Sequence, residues 1–99
     1  AFLAGVFLTN SIPHLIKGIS GQTHMTPFKR VSPAWFNIIW SFVNIYLGLL
    51  FLQMSGGHLG DLTKLDSFAW SFLIGALFVA LSDAWLFSKP NAHLPWQKD

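Results

Sequence analysis

Apolar and polar residues alternate along this chain in long blocks rather than residue by residue. The stretch from Ala1 to about Ile19 is apolar, interrupted by Thr9-Asn10-Ser11-Ile12-Pro13-His14. Residues 20–32 are polar and carry Gly21, Pro27, Lys29 and Arg30. Residues 34–54 hold no charge, and 55–66 form a gap rich in glycine. Residues 67–87 are apolar except for Asp83, and 89–99 are a polar tail with two prolines. A membrane-spanning helix needs about 20 apolar residues. The pattern therefore predicts an all-α chain of three transmembrane helices, over about 1–19, 33–54 and 67–88. Polar loops over about 20–32 and 55–66 join them, and the whole of 1–99 is one membrane domain.

Local signals mark the helix ends. Ser32-Pro33 offers an N-cap followed by proline at the first helical position. Asp66 or Ser67 can cap the third helix, and Lys89-Pro90 stops it, because the residue before proline leaves the α region. The first span has no basic start and no small-x-small cleavage site, so it reads as a retained helix rather than a secretory signal. Ala1 in place of Met suggests that initiating residues are trimmed or missing.

Composition agrees with this picture. Of the 99 residues, 53% are hydrophobic and 10% charged. A soluble domain carries roughly 25% charged residues, so this chain cannot cover a water-facing surface in the usual way. Zero Cys removes disulfides, thiol catalysis and cysteine zinc sites. Six Lys/Arg, scattered along the chain, are too few for a nucleic-acid surface. Their placement does orient a three-span chain. Lys17, Lys29, Arg30, Lys89 and Lys98 share one side, and Lys64 stands on the other. The positive-inside rule then puts the N-terminus outside and the C-terminus in the cytoplasm. Trp35 and Trp85 fall near the inner interface and Trp70 near the outer one, as an aromatic belt requires.

Candidate chemistry lies in the polar residues inside the spans. Asn10, His14 and Lys17 share one helical face. Pro13 cannot donate to the Thr9 carbonyl, which predicts a kink and a freed acceptor. Asn37, Ser41, Asn44 and Gly48 form a polar and small stripe on the second helix. It can line a cavity or bond helix to helix. Ser71 and Gly75 make a small-xxx-small packing pair on the third. Asp83 lies inside a span, where a charge is costly and calls for a partner. Lys17 or His14 is the expected partner, making Lys17 and Asp83 an intramembrane charge pair; the alternative is an interfacial carboxylate near Lys89. Lys17 can equally snorkel to the interface. His24, His58 and His93 fall in separate segments without ligand spacing, so no metal site or other cofactor is expected. No nucleophile elbow, metalloprotease motif, phosphate loop or dinucleotide fingerprint occurs, and an enzyme is not expected.

The series Asn10-Ser11-Ile12-Pro13-His14, then Lys17-Gly18-Ile19-Ser20-Gly21, Thr26-Pro27-Phe28 and Asn37-Ile38-Ile39-Trp40 resembles a family of small uncharacterised bacterial membrane proteins. The resemblance covers roughly residues 5–48. It implies a bacterial inner-membrane location and no assigned activity. A second, architectural resemblance is to half-transporters of the SemiSWEET type, which dimerise in parallel and carry sugars. Their Pro-Gln signature would fall on Pro13-His14, and the second residue departs from it.

Together these features predict a homo-oligomer, a dimer above all, in a lipid bilayer. Its polar cavity would take a small polar solute and be lined by Asn10, His14, Asn37, Ser41 and Asn44. Pro13 would be its hinge, with Lys17 and Asp83 closing the cytoplasmic end. The competing reading is a non-catalytic subunit of a larger membrane complex, whose polar stripe recognises partner helices.

Overall fold

A computed structural model describes residues 1–29 and 31–88 of the chain. Arg30, the expected stop at Lys89-Pro90, the cations Lys89 and Lys98, and His93 lie outside the described residues. Three α-helices run over Phe2–Ile19 (α1), Ala34–Met54 (α2) and Ser67–Phe87 (α3). All three are long and apolar enough to cross a membrane. A helix of 21 residues, as α2 and α3 are, spans about 31 Å at the usual rise, close to the thickness of a bilayer core.

The ends differ in part from the local signals. Asp66 caps α3 through its Oδ1, which accepts from the Ala69 N–H at 3.0 Å. Ser32 does not cap α2. Pro33 takes the cap position with an extended backbone, and no side chain bonds the free N–H groups there. The Ser32 hydroxyl donates instead to the Lys29 carbonyl at 3.0 Å. At the end of α1, Gly21 adopts a φ of 70°. Its N–H bonds the Gly18 carbonyl, and the Gln22 N–H bonds that of Lys17. This paired closure needs a left-handed residue, which glycine supplies without strain. The second gap holds a short 3-10 helix, Leu59–Lys64, where a plain loop was expected.

α1 is the central helix. It packs along both α2 and α3, which contact each other far less. Side-chain placement is inverted relative to a soluble protein. The largest fully buried side chains are Asn37, Asn44, Thr26, Ser32 and Ser41. Leu73, Ile74, Leu77, Phe78 and Leu81 on α3 stand exposed, as do Ile39, Phe42 and Tyr46 on α2. In water such a surface would aggregate; in lipid it is the outer face. Buried apolar side chains are few among the described residues: Ala4, Leu52 and Phe72 cluster at one end of the bundle, and Met25, Ala69 and Val79 are buried besides.

Because lipid is as apolar as leucine, close backbone approach replaces hydrophobic burial as the packing force between helices. A Cβ on Gly5 would collide with the Phe72 carbonyl oxygen, and one on Gly75 with the Phe2 carbonyl oxygen. The contact is reciprocal, so both glycines hold α1 against α3. Gly48 on α2 receives the Leu8 side chain in the same way. Ser71, one turn before Gly75, is only partly buried. Gly75→Ala should separate α1 from α3 and cost about 1–3 kcal/mol. Thermal unfolding in detergent checks this, with lipid-facing Leu77→Ala, at a site 60% exposed, expected to stay near wild type.

Candidate functional site

The polar residues of α1 and α2 meet one another. The Asn10 amide donates to Asn44 Oδ1 at 3.2 Å, and Asn44 Nδ2 donates to the Trp40 carbonyl at 2.8 Å. The Ser41 hydroxyl crosses to the Ser11 carbonyl of α1 at 3.0 Å. Ser11 in turn bonds its own helix at Leu8. Asn37 is the hub of the zipper. Its Nδ2 donates to the carbonyls of His24, Ser32 and Pro33 at 3.1–3.2 Å. Its Oδ1 lies 2.8 Å from His14 Nδ1.

These partners fix the hydrogen positions. Carbonyl oxygens only accept, so Asn37 must turn its nitrogen toward the three carbonyls. Asn37 Oδ1 then accepts, and His14 Nδ1 carries the proton it receives. In the neutral ring this leaves His14 Nε2 with a lone pair. The same logic holds at Asn44, whose nitrogen faces Trp40 and whose Oδ1 accepts from Asn10. The Oδ1 of Asn10 is left uncommitted.

The segment before α2 is not the plain polar loop expected. His24 and Ser32 form a two-residue antiparallel bridge. Inside it, Thr26 and Lys29 exchange backbone hydrogen bonds across Pro27 and Phe28. Proline is favoured at the second position of such a turn. The Thr26 and Ser32 hydroxyls bond each other at 2.8 Å. Asn37 anchors this small hairpin beneath the bundle, placing Met25, Thr26 and Pro27 against α1 and α3.

On the opposite side of α1 the structure is open. A crevice of about 200 Å³ is lined by Asn10, His14, Met25, Asp83, Leu86 and Phe87. A wider one of about 500 Å³ adjoins it through Asp83 and Phe87, and runs along Thr9, Pro13, Ala80 and Ala84. No family model matches this chain, and neither a curated protein nor a solved structure does. Its chemistry must therefore be read from these residues themselves.

The structure revises the expected site in two respects. Asn37, Ser41 and Asn44 line neither crevice. They are 0%, 0% and 1% exposed and are committed to bonds between α1, α2 and the hairpin. The Lys17–Asp83 pair is also not formed among the described residues. Lys17 Nζ donates to Gln22 Oε1 at 3.1 Å. Asp83 faces α1 at the level of Asn10 and Pro13. Lys17 lies beyond both on α1, about 6 Å along the axis from Pro13 and about 10 Å from Asn10. No group of three metal-ligating side chains occurs among the described residues. Sequence reasoning missed Met25, Leu86 and Phe87 as lining residues. It also missed His24, whose ring stands 5.1 Å from His14 and 4.3 Å from Phe87. The Thr-Pro-Phe-Lys turn was visible as a turn, but nothing in the string shows where it folds.

Burial, reinforced by the neighbouring His14 and Lys17, pushes the His24 imidazole down from 6.5 to about 4. The unfolded chain then binds a proton on His24 over a range where the folded chain does not. The stability from neutral His24 is complete above its unfolded value and is lost as pH falls toward 4. The melting temperature should therefore drop between about pH 7 and pH 5, and His24→Gln should flatten that drop. Asn37→Ala removes the four contacts of the hub. At about 0.6 kcal/mol for each membrane-buried bond, it should cost roughly 2 kcal/mol in the same melting assay.

Proposed function

We propose that this chain is a small, multi-pass bacterial inner-membrane protein that binds a small polar solute between α1 and α3, and that it is transporter-like in action. The carrying observation is the convergence of Asn10, His14 and Asp83 on one crevice within an otherwise apolar exterior. A carboxylate inside a spanning helix is costly, and such residues mark ligand or ion paths. The positive-inside count supports an outside N-terminus and a cytoplasmic C-terminus, with the crevice opening near the cytoplasmic face. Pro13 borders the wider chamber and leaves the Thr9 carbonyl without its helical donor, which suits a hinge there.

Three helices in a row, with α1 in the middle, do not enclose a path. A second copy laid over the wider chamber would close it, which supports a homodimer of the half-transporter kind. The competing reading, a non-catalytic subunit, relied on the polar stripe of α2 as a partner surface. Pairing of that stripe within the chain leaves it without this support.

The chain has no cysteine, so single-cysteine labelling in membrane vesicles is clean. Asp83→Cys should react with a charged methanethiosulfonate, whereas Asn44→Cys should not. Labelling of Asp83→Cys no faster than that of lipid-facing Leu77→Cys would overturn a water-accessible site.

A further inference from the structure

The bonding pattern around the crevice limits what can occupy it. Four polar side chains line the inner chamber: Asn10, His14, Thr26 and Asp83. The Ser32 hydroxyl donates to the Lys29 carbonyl, so the Thr26 hydroxyl spends its proton on Ser32 and accepts from the Phe28 N–H. Asn10 Nδ2 spends one of its two N–H groups on Asn44, and its Oδ1 accepts from no described residue. His14 Nδ1 is committed as donor to Asn37, so Nε2 offers a lone pair. Asp83 is acceptor-only when ionised, and it makes no hydrogen bond or ion pair among the described residues. Asn10, His14 and Asp83 therefore each bring an uncommitted acceptor to the chamber, which carries a single formal negative charge and one spare donor, the second N–H of Asn10. An anion would bring further lone pairs to face them, and a neutral solute would leave the carboxylate charge without a counter-charge. Each unmatched pair of acceptors would then carry a desolvation penalty.

We propose that the crevice selects a small protonated amine, whose N–H groups donate to Asp83, Asn10 Oδ1 and His14 Nε2. The inference rests on reading the crevice as a ligand site and names the class of ligand. Size and lining agree with it. The inner chamber of about 200 Å³ holds about six water-sized groups, at roughly 30 Å³ each. Phe87 is an aromatic lining residue, and an aromatic ring attracts a cation, while Met25 and Leu86 supply apolar lining for the alkyl portion. A bare alkali ion gains nothing from this apolar lining and lacks a full shell of oxygen ligands. A quaternary ammonium carries the charge but has no N–H to donate. The close approach of Gly5 to Phe72 and of Gly75 to Phe2, together with the zipper, holds α3 and His14 on either side of the chamber, so its acceptors are placed before any ligand arrives.

Radiolabelled methylammonium binding to the wild-type protein in lipid nanodiscs tests this. Saturable binding is expected. Unlabelled ethylammonium should compete, and sodium or tetramethylammonium at equal concentration should not. Asp83→Asn should weaken binding roughly tenfold or more, since an ionic hydrogen bond is replaced by a neutral one. Absence of saturable methylammonium binding by the wild type would overturn the proposal. So would equal competition by tetramethylammonium, which would show that N–H donation is not read. The competition measurements use the wild-type chain and stand even if the Asp83 variant fails to assemble. If Asp83→Cys labels as a water-accessible site while methylammonium does not bind, the amine assignment fails and the crevice survives as a site. If the cysteine is shielded, the crevice itself is no solute site.

Discussion

The Asn37 side chain ties three separate parts of the chain together. It faces His14 of α1, the carbonyls of His24 and Ser32 in the hairpin, and the carbonyl of Pro33 at the start of its own helix. Inside a bilayer an unpaired amide has no water to turn to, so each of these bonds must be made by protein. That requirement places the hairpin under the bundle, fixes the rotation of α1 against α2, and sets the tautomer of His14. Most other features of that end of the molecule follow from it.

The rest of the packing follows the same physics in reverse. The outer faces of α2 and α3 carry large apolar side chains, which bring no preference for one neighbour over another when lipid is the alternative. Orientation between helices is therefore left to groups that lipid cannot replace. On one side of α1 these are the Asn and Ser bonds; on the other they are the reciprocal contacts of Gly5 and Gly75 with facing carbonyls. The small apolar cluster of Ala4, Leu52 and Phe72 completes the far end, next to the short 3-10 helix.

This division gives α1 two different faces. Toward α2 it is sealed, and the side chains of Asn37, Ser41 and Asn44 are bonded there. Toward α3 it opens beyond the glycine contact, and the two α1 residues that join both sides, Asn10 and His14, show the crevice only the atoms the zipper has not used. A structural network thus decides the polarity of a neighbouring cavity. Asp83 adds its charge beside the free acceptors of Asn10 and His14.

Much of the fold was legible in the string. Block hydropathy gave three spans, and the observed helices begin and end within one residue of them. Composition excluded a water-facing exterior, and Asp66 was readable as a cap from its position before an apolar run. The polar positions Asn10, His14, Asn37, Ser41 and Asn44 were also visible, because polarity within a span is conspicuous. Their roles were not. Helical spacing shows that residues share a face, but not which neighbour that face meets. Only the order α2–α1–α3 decided that Asn37, Ser41 and Asn44 are saturated while Asn10 and His14 also reach a cavity. Charge suggested a Lys17–Asp83 pair, since sequence registers sign and approximate depth; in the tertiary structure Lys17 bonds Gln22 instead, and Asp83 lines the crevice. His24 and Phe87 lie 63 residues apart along the chain, and their meeting depends on a hairpin held by one asparagine. Local chemistry and hydropathy act along the chain and can be read there. The match of donors to acceptors is made across it, and exists only once the helices have chosen their neighbours.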